Sequence, residues 1–182
     1  MSGIFVAIVG PSGVGKDSLL SYARESIGED MVVVRRTITR AAEESSEEHD
    51  SLTVAQFAMA VADGEFSLHW QAHGLSYALP KNVERELASG RLVVANLSRA
   101  VLPMAAERFD RMVVVAVTAR PEVIVQRLFG RGRESAEEIR DRLNRLVDCL
   151  PAEAIEIDNS DAIDIAGDKF VSLLKSLLAK PH

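Results

Sequence analysis

The chain contains 182 residues, of which 47% are hydrophobic and 26% charged, and its formal net charge at pH 7 is −6. This composition excludes intrinsic disorder as the main state, because disordered chains combine low hydrophobicity with high net charge. The acidic balance argues against sequence-independent binding to nucleic acids, whose affinity comes from cations that neutralise phosphates. The 16 arginines nevertheless outnumber the 5 lysines, which is consistent with discrete anion sites, although arginines that only solvate helices would give the same count.

Two further features indicate where the protein works. Cys149 is the only cysteine, so an internal disulfide is impossible and a cysteine-based zinc site is not expected. No stretch approaches the roughly 20 apolar residues of a membrane helix, and residues 1–10 lack the pattern of a secretory signal. We therefore expect a cytoplasmic protein with neither a membrane nor a nucleic acid as its partner.

Apolar segments rich in Val and Ile alternate with segments of helical character. This alternation predicts an α/β fold with helices on both faces of a central, mostly parallel sheet. The continuous apolar run at 112–117 predicts a central strand, because such strands are covered on both faces. Thr53 and Gln56 predict a capping box before one helix. The predicted strands are 4–9, 31–34, 92–95, 112–117 and 155–157, and the predicted helices are 16–27, 54–62, 81–89, 99–109, 121–129, 136–150 and 162–178.

Two polar segments interrupt this alternation. Residues 41–50 are acidic, and residues 130–135 are rich in Gly and Arg. We interpret both as mobile loops over a site, although ordinary surface loops have the same composition. No repeat, low-complexity tract or linker divides the chain, so we expect a single domain over residues 1–182.

A phosphate-binding loop is predicted between the first strand and the first helix, the context that this motif requires. Its glycines let the backbone N–H groups curl toward an anion, and the helix N-terminus adds favourable partial charge. Lys16 is expected to reach the β and γ phosphates of a nucleotide. The predicted nucleotide-binding residues are Gly10, Pro11, Ser12, Gly13, Val14, Gly15, Lys16, Asp17 and Ser18.

Asp17 departs from the usual form of this loop, in which a Ser or Thr hydroxyl binds Mg²⁺ at that position. A carboxylate beside a triphosphate is repulsive unless a cation lies between them. We therefore predict that Asp17 binds Mg²⁺, directly or through water. Alternatively, the carboxylate only favours the helix N-terminus, and a nucleotide site that has lost its activity is a third interpretation, which the intact Lys16 disfavours.

Further short motifs run along nearly the whole chain. They are residues 37–40 (Thr-Ile-Thr-Arg), 65–66 (Glu-Phe), 73–74 (His-Gly), Tyr77, 127–128 (Arg-Leu), 131–132 (Arg-Gly) and 142–143 (Arg-Leu). Together with the phosphate-binding loop, they resemble the guanylate-kinase group of P-loop kinases. Within this group, segments 15–20, 38–40, 48–49, 70–74 and 96–99 are similar to the ribose 1,5-bisphosphate phosphokinases of phosphonate breakdown. The resemblance implies a five-stranded parallel core, an acceptor-binding subregion at 36–80 and an Arg-bearing lid at 130–136.

The acceptor side departs from guanylate kinases. Arg36 and Leu68 align with the Ser and Glu that those kinases place against guanine, and a leucine cannot accept hydrogen bonds from guanine N1 and N2. A site without the matching polar partner loses most of its discrimination, so we expect no base pocket. A small acceptor with two phosphates and no base fits this pattern. The predicted acceptor-binding residues are Arg36, Arg40, His49, His73, Tyr77, Asn96, Ser98 and Arg99, while Glu43 replaces an expected arginine.

The resemblance also implies residues for the transfer step. Arg131 and Arg133 would close over the β and γ phosphates, or alternatively pair with the acidic residues at 134–138. Arg142 would reach the nucleotide from the next helix. Lys16 is the fourth predicted catalytic residue, and Asn159 occupies the place where these kinases contact adenine.

The activity implied by the resemblance is transfer of the γ-phosphoryl group of ATP to the 1-phosphate of ribose 1,5-bisphosphate, with Mg²⁺. A nucleoside monophosphate kinase is one alternative, and a silent guanylate-kinase-like module that binds a phosphopeptide is another. His69, Trp70 and His73 lie close together in the sequence, but a strand would place His69 and Trp70 on opposite faces. We therefore interpret Trp70 as a core residue and do not favour a metal site there.

Overall fold

In the computed structural model, which describes residues 3–40, 49–72, 74–129 and 150–179, the chain forms two β-sheets. The larger sheet is parallel, and it contains, in spatial order, β2 (Met31–Val33), β7 (Leu92–Asn96), β1 (Ile4–Val9), β8 (Met112–Thr118) and β9 (Ile155–Asp158). The smaller sheet contains β4 (His49–Ser51), β3 (Arg36–Ile38), β6 (Leu75–Pro80) and β5 (Phe66–Ala72). Strand β3 pairs with β4 in parallel, whereas β6 runs antiparallel to both β3 and β5.

The helices of the described residues cover both faces of the parallel sheet. Strand β1 alternates between two apolar cores, with Val6 and Ile8 in one and Phe5 and Ala7 in the other. This double burial explains why the strand has no polar residue. The helices are α1 (Lys16–Ile27), α2 (Val54–Ala62), α3 (Asn82–Ala88), α4 (Leu102–Arg108), α5 (Pro121–Phe129) and α6 (Ile163–Ala179), with 3₁₀ turns at Gly28–Asp30 and Arg99–Val101. No helix among the described ranges is long and apolar enough to cross a membrane.

The parallel core confirms the predicted fold, and β8 is an interior strand as expected. The helix predicted at 99–109 is wrong in part, because a 3₁₀ turn precedes α4 and Pro103 lies in the first turn of that helix. Proline is favoured there, since its missing N–H would have no partner in any case. The loop predicted at 41–50 is wrong at its end, where residues 49–50 belong to β4 and pair with β3. Residues 41–48 lie outside the described residues, as do residues 136–149 of the helix predicted at 136–150. The end of that prediction is wrong, because Leu150 lies in neither a helix nor a strand.

Helix α6 packs closely on α1 at Gly167. A Cβ at this glycine would lie 2.6 Å from the Tyr22 ring, so the absence of a side chain sets the distance between the helices. The Tyr22 hydroxyl donates to Asp168 Oδ1 at 2.6 Å, and this hydrogen bond raises the pKa of Tyr22. The two contacts fix α6 beside the helix that carries the phosphate-binding loop.

The carboxyl ends of the parallel strands meet at one edge of the sheet. The phosphate-binding loop follows β1, Asn96 ends β7, and Asn159 follows β9. In open α/β sheets, ligands bind at this edge. The topology therefore brings several of the predicted site residues to one place.

Candidate active site

The loop between β1 and α1 has the backbone of a phosphate-binding site. Gly13 and Gly15 adopt φ angles of 82° and 94°, a left-handed conformation that L side chains rarely adopt. The first bond of α1 runs from the Leu19 N–H to the Gly15 carbonyl at 3.1 Å, so the N–H groups of residues 15–18 have no acceptor within the helix. This end of the helix can therefore donate to an anion.

Lys16 folds back over this loop. Its ammonium group donates to the Gly10 carbonyl at 2.8 Å and to the Pro11 carbonyl at 3.0 Å. The positive charge thus lies at the phosphate-binding loop, next to the carbonyls of its first two residues.

Asn159 and Arg127 both form hydrogen bonds with the backbone of the phosphate-binding loop. The Asn159 amide donates to the Val14 carbonyl at 2.8 Å, and the Arg127 guanidinium donates to the same carbonyl at 3.2 Å. Asn159 is only 1% exposed. Its predicted contact with adenine stays a prediction. The hydrogen bonds that Asn159 and Arg127 donate to the loop were not predicted. These residues are 145 and 113 positions from Val14, so no local sequence signal joins them.

Asp17, at the start of α1, lies close to Asn96 at the end of β7. The Asn96 amide is 3.5 Å from Asp17 Oδ1, and Asp17 is exposed. Mg²⁺ in nucleotide sites is usually held by one or two carboxylates, waters and the phosphates themselves. The one exposed carboxylate of Asp17 fits such an ion, and across the described ranges no group of three His, Cys, Asp or Glu residues forms a metal site on its own.

Three side chains form a stack on the smaller sheet. The Arg36 guanidinium carbon lies 5.4 Å from the centre of the Tyr77 ring. Tyr77 in turn stacks on the Trp70 indole, with ring centres 5.5 Å apart and planes inclined by 10°. Trp70 and Tyr77 are directly opposed on β5 and β6, and such cross-strand aromatic pairs stabilise a sheet. The stack therefore fixes two of the predicted acceptor-binding residues relative to each other.

Strand β5 alternates between core and solvent. Leu68 and Trp70 are 5% and 7% exposed and belong to the apolar core that contains Phe5, whereas His69 is exposed. The prediction that His69 and Trp70 lie on opposite faces is confirmed, as is the core position of Trp70. Leu68 presents no polar group, and its side chain is part of the core.

Arg40 and His49 meet at the end of the smaller sheet. His49 is 3% exposed, and its Nε2 lies 3.3 Å from the Arg40 carbonyl oxygen. Arg35 donates to the His49 carbonyl at 3.1 Å and forms an ion pair with Asp50. These contacts fix the backbone that carries Arg40, while direct contact of His49 or Arg40 with an acceptor stays a prediction.

Ser98 and Arg99 follow β7, just beyond Asn96, and both are half-buried. The Val101 N–H donates to the Ser98 carbonyl at 3.0 Å, which forms the 3₁₀ turn that begins at Arg99. The two residues thus lie at the same sheet edge as the phosphate-binding loop. His73, Arg131, Arg133, Arg142, Glu43 and the predicted lid at 130–136 lie outside the described residues.

Curated proteins that resemble this chain have names that all include a ribose 1,5-bisphosphate kinase activity. A ribose 1,5-bisphosphate phosphokinase from Brucella melitensis is 46% identical over 182 residues, which cover 98% of this chain and 95% of that protein. Another from a Ruegeria species is 48% identical over 169 residues, which cover 90% and 87%. A bifunctional ribose 1,5-bisphosphokinase-thymidine phosphorylase from Azorhizobium caulinodans is 43% identical over 98% of this chain but only 26% of that longer protein. No family model matches the chain.

Solved structures resemble the fold. A guanylate kinase from Anaplasma phagocytophilum superimposes with a TM-score of 0.71 at 19% identity, covering 98% of this chain and 88% of that one. A gluconokinase from Sinorhizobium meliloti gives a TM-score of 0.56 at 16% identity, covering 97% and 94%. At these identities the likeness concerns the fold alone, and it confirms the predicted guanylate-kinase-like architecture.

Proposed function

Because the chain belongs to the ribose 1,5-bisphosphate phosphokinase family, we propose that it transfers the γ-phosphoryl group of ATP to the 1-phosphate of ribose 1,5-bisphosphate. The products are 5-phosphoribosyl 1-diphosphate and ADP, and the reaction serves phosphonate degradation. We further propose that the protein acts in the cytoplasm as a single kinase domain, with ATP and the sugar phosphate as its small-molecule partners.

The observation that carries this proposal is the character of the acceptor side. Leu68, which stands where guanylate kinases place a glutamate against guanine, is buried in the apolar core. The smaller sheet instead presents Arg36 over the Tyr77 ring. A cation and a phenol suit phosphate groups, and neither gives the pair of acceptors that guanine N1 and N2 require.

The acceptor needs no general base. A phosphate monoester has a second pKa of about 6, so the attacking oxygen of the 1-phosphate is already ionised at pH 7. Positioning and charge stabilisation then account for the acceleration. An asparagine at position 96, where guanylate kinases have an aspartate, is compatible with this chemistry.

We assign roles on this basis. Lys16 and the N–H groups of the loop bind the β and γ phosphates of ATP, and Lys16 stabilises the charge that develops during transfer. Asp17 would hold Mg²⁺, which when bound would neutralise part of the negative charge of the ATP phosphates. The residues proposed to hold the acceptor are Arg36, Arg40, Tyr77, Asn96, Ser98 and Arg99, with His49 and His73.

The lid arginines complete the proposal. Arg131, Arg133 and Arg142 are proposed to close over the migrating phosphoryl group, where positive charge favours the transition state. Two polyanionic substrates must meet in one pocket, so this pocket needs local positive charge although the net charge of the chain is −6.

The proposed reaction can be tested by incubating the protein with ATP·Mg²⁺ and ribose 1,5-bisphosphate. We expect ADP release that depends on the sugar, together with the phosphorus NMR signals of a sugar diphosphate. ADP release that is unaffected by the sugar would contradict the assignment, since it would indicate hydrolysis of ATP.

A further inference from the structure

The Val14 carbonyl is held by two side chains from distant elements. Asn159, just after β9, donates to it at 2.8 Å, and Arg127 of α5 donates at 3.2 Å. The main chain of Asn159 is itself fixed, because its N–H donates to the Thr118 carbonyl at 2.8 Å. The carbonyl is thus anchored to the frame of the parallel sheet.

This anchor determines the direction of the next N–H group. In a trans peptide unit the C=O and N–H bonds point in opposite directions. Because the Val14 carbonyl points at Asn159 and Arg127, the Gly15 N–H points away from them. It is one of the amides at the start of α1 that have no acceptor within the helix.

Gly15 is matched to this contact. A Cβ at this position would lie 2.4 Å from Asn159 Nδ2, and the φ of 94° disfavours any L side chain. The glycine therefore serves two purposes, the left-handed turn and the close approach of the Asn159 amide.

The amide of Asn159 makes one side-chain contact that requires its polarity. Its Nδ2 donates to the Val14 carbonyl, whereas its Oδ1 is buried and has no hydrogen-bond partner in the part of the chain that the structure describes. Burying an unpaired oxygen disfavours folding, and a leucine of similar size would avoid that penalty. The hydrogen bond from Asn159 Nδ2 to the Val14 carbonyl therefore explains why an asparagine stands at this position.

We infer that Asn159 and Arg127 are positioning residues for phosphoryl transfer, which act through the Val14–Gly15 peptide to aim the Gly15 N–H at the phosphates of ATP. This inference rests on the proposed kinase function. It differs from the predicted adenine contact of Asn159, because it concerns the phosphates and requires no base.

Tripolyphosphate has the phosphates of ATP but no adenosine. It therefore distinguishes a role of Asn159 in binding the phosphates from a role in binding adenine. The variant Asn159→Asp replaces the donor by a carboxylate that faces the Val14 carbonyl, and Asn159→Ala removes the donor without adding charge. Asp161→Asn is the matched control, since Asp161 lies two residues further on and is exposed. For each protein we would measure the dissociation constants of ATP·Mg²⁺ and tripolyphosphate·Mg²⁺ by calorimetry, the KM for the acceptor and the thermal unfolding midpoint.

We expect Asn159→Asp to weaken ATP and tripolyphosphate by the same factor of roughly ten, and Asn159→Ala by roughly three. The KM for the acceptor and the affinities of Asp161→Asn should stay within about twofold of the wild-type values.

Weaker binding of ATP with unchanged binding of tripolyphosphate would overturn the inference in favour of an adenine contact. Unchanged binding of both ligands would also overturn it. A wild-type protein that binds both ligands but does not phosphorylate ribose 1,5-bisphosphate would contradict the proposed function and leave the positioning role intact. Wild-type protein that binds neither would overturn both.

Discussion

The ring of Tyr77 lies on the indole of Trp70 with centres 5.5 Å apart and planes inclined by only 10°. Trp70 is anchored in the apolar core of the parallel sheet, and the Arg36 guanidinium carbon lies over the Tyr77 ring, 5.4 Å from its centre. The hydrophobic core thus positions a cation and a phenol that we propose to bind the acceptor.

We expect Trp70→Ala to lower the free energy of unfolding by about 3–5 kcal/mol, because a large aromatic side chain leaves the core. It should also raise the KM for ribose 1,5-bisphosphate roughly tenfold while leaving the KM for ATP unchanged, since Tyr77 and Arg36 lose their support. Trp70→Phe should recover most of both losses. Steady-state kinetics and urea unfolding measure these effects.

The control for this variant is Phe57→Ala. Phe57 is buried and lies with its ring centre 5.0 Å from that of Phe66, outside the Trp70 stack. We expect a comparable loss of stability without the tenfold change in acceptor KM. Equal changes in acceptor KM for both variants would show that general destabilisation of the subregion explains the effect.

We expect Lys16→Ala to lower kcat/KM by at least about 10²–10³-fold, because the ammonium group stabilises charge that develops in the transition state. The unfolding midpoint should change little, since Lys16 is only half-buried and its ammonium group donates to two loop carbonyls. Lys169→Ala, which removes an exposed lysine from α6, is the control and should be fully active. Turnover near the wild-type value for Lys16→Ala would contradict the role assigned to the loop.

Replacement of Asp17 tests the metal assignment. We expect Asp17→Asn to increase the Mg²⁺ concentration required for half-maximal activity several-fold, with recovery at high Mg²⁺, because a carboxylate binds this ion better than an amide does. Glu25→Gln changes an exposed carboxylate further along the same helix and should leave the requirement unaltered. If the Mg²⁺ requirement of Asp17→Asn is unchanged and only its stability falls, the carboxylate serves the helix N-terminus.

The contact between α1 and α6 gives a prediction about stability. Alanine is favoured over glycine in a helix by about 1 kcal/mol, yet Gly167→Ala would place its Cβ 2.6 Å from the Tyr22 ring. We expect a net destabilisation of up to about 2 kcal/mol, because overpacking costs about 1–3 kcal/mol and the helix propensity of alanine offsets about 1 kcal/mol of it. In a Tyr22→Ala background the same substitution should stabilise the protein, and denaturant unfolding of the four proteins measures the coupling. Independent, additive effects would show that the two residues do not clash.

Local patterns predicted the elements that have a strong period. Helix α2 begins after Thr53 and contains residues 54–62 as expected, with the capping box of Thr53 and Gln56 in place. Strands β3 and β4 of the smaller sheet were not predicted, because they are three residues long and contain polar side chains. A period of two cannot be recognised in strands of that length.

The candidate site was predictable where its residues form a motif. The loop that ends in Lys16 has such a motif, and its strand and helix context is present. The attachment of the loop to Asn159 joins residues 145 positions apart, and the Trp70–Tyr77 pair depends on the register of a hairpin. Contacts of this kind depend on the tertiary structure, so the sequence alone does not predict them.

The central claim is that the acceptor pocket binds a sugar bisphosphate and does not recognise a purine. The acceptor preference of the protein tests this claim most directly. We would measure kcat/KM for ribose 1,5-bisphosphate and for GMP in the same ADP-release assay. The account predicts at least roughly a 10³-fold preference for the sugar, because guanine N1 and N2 would be buried without acceptors, at about 1–3 kcal/mol for each. Efficient phosphorylation of GMP, with kcat/KM equal to or above that for ribose 1,5-bisphosphate, would contradict it.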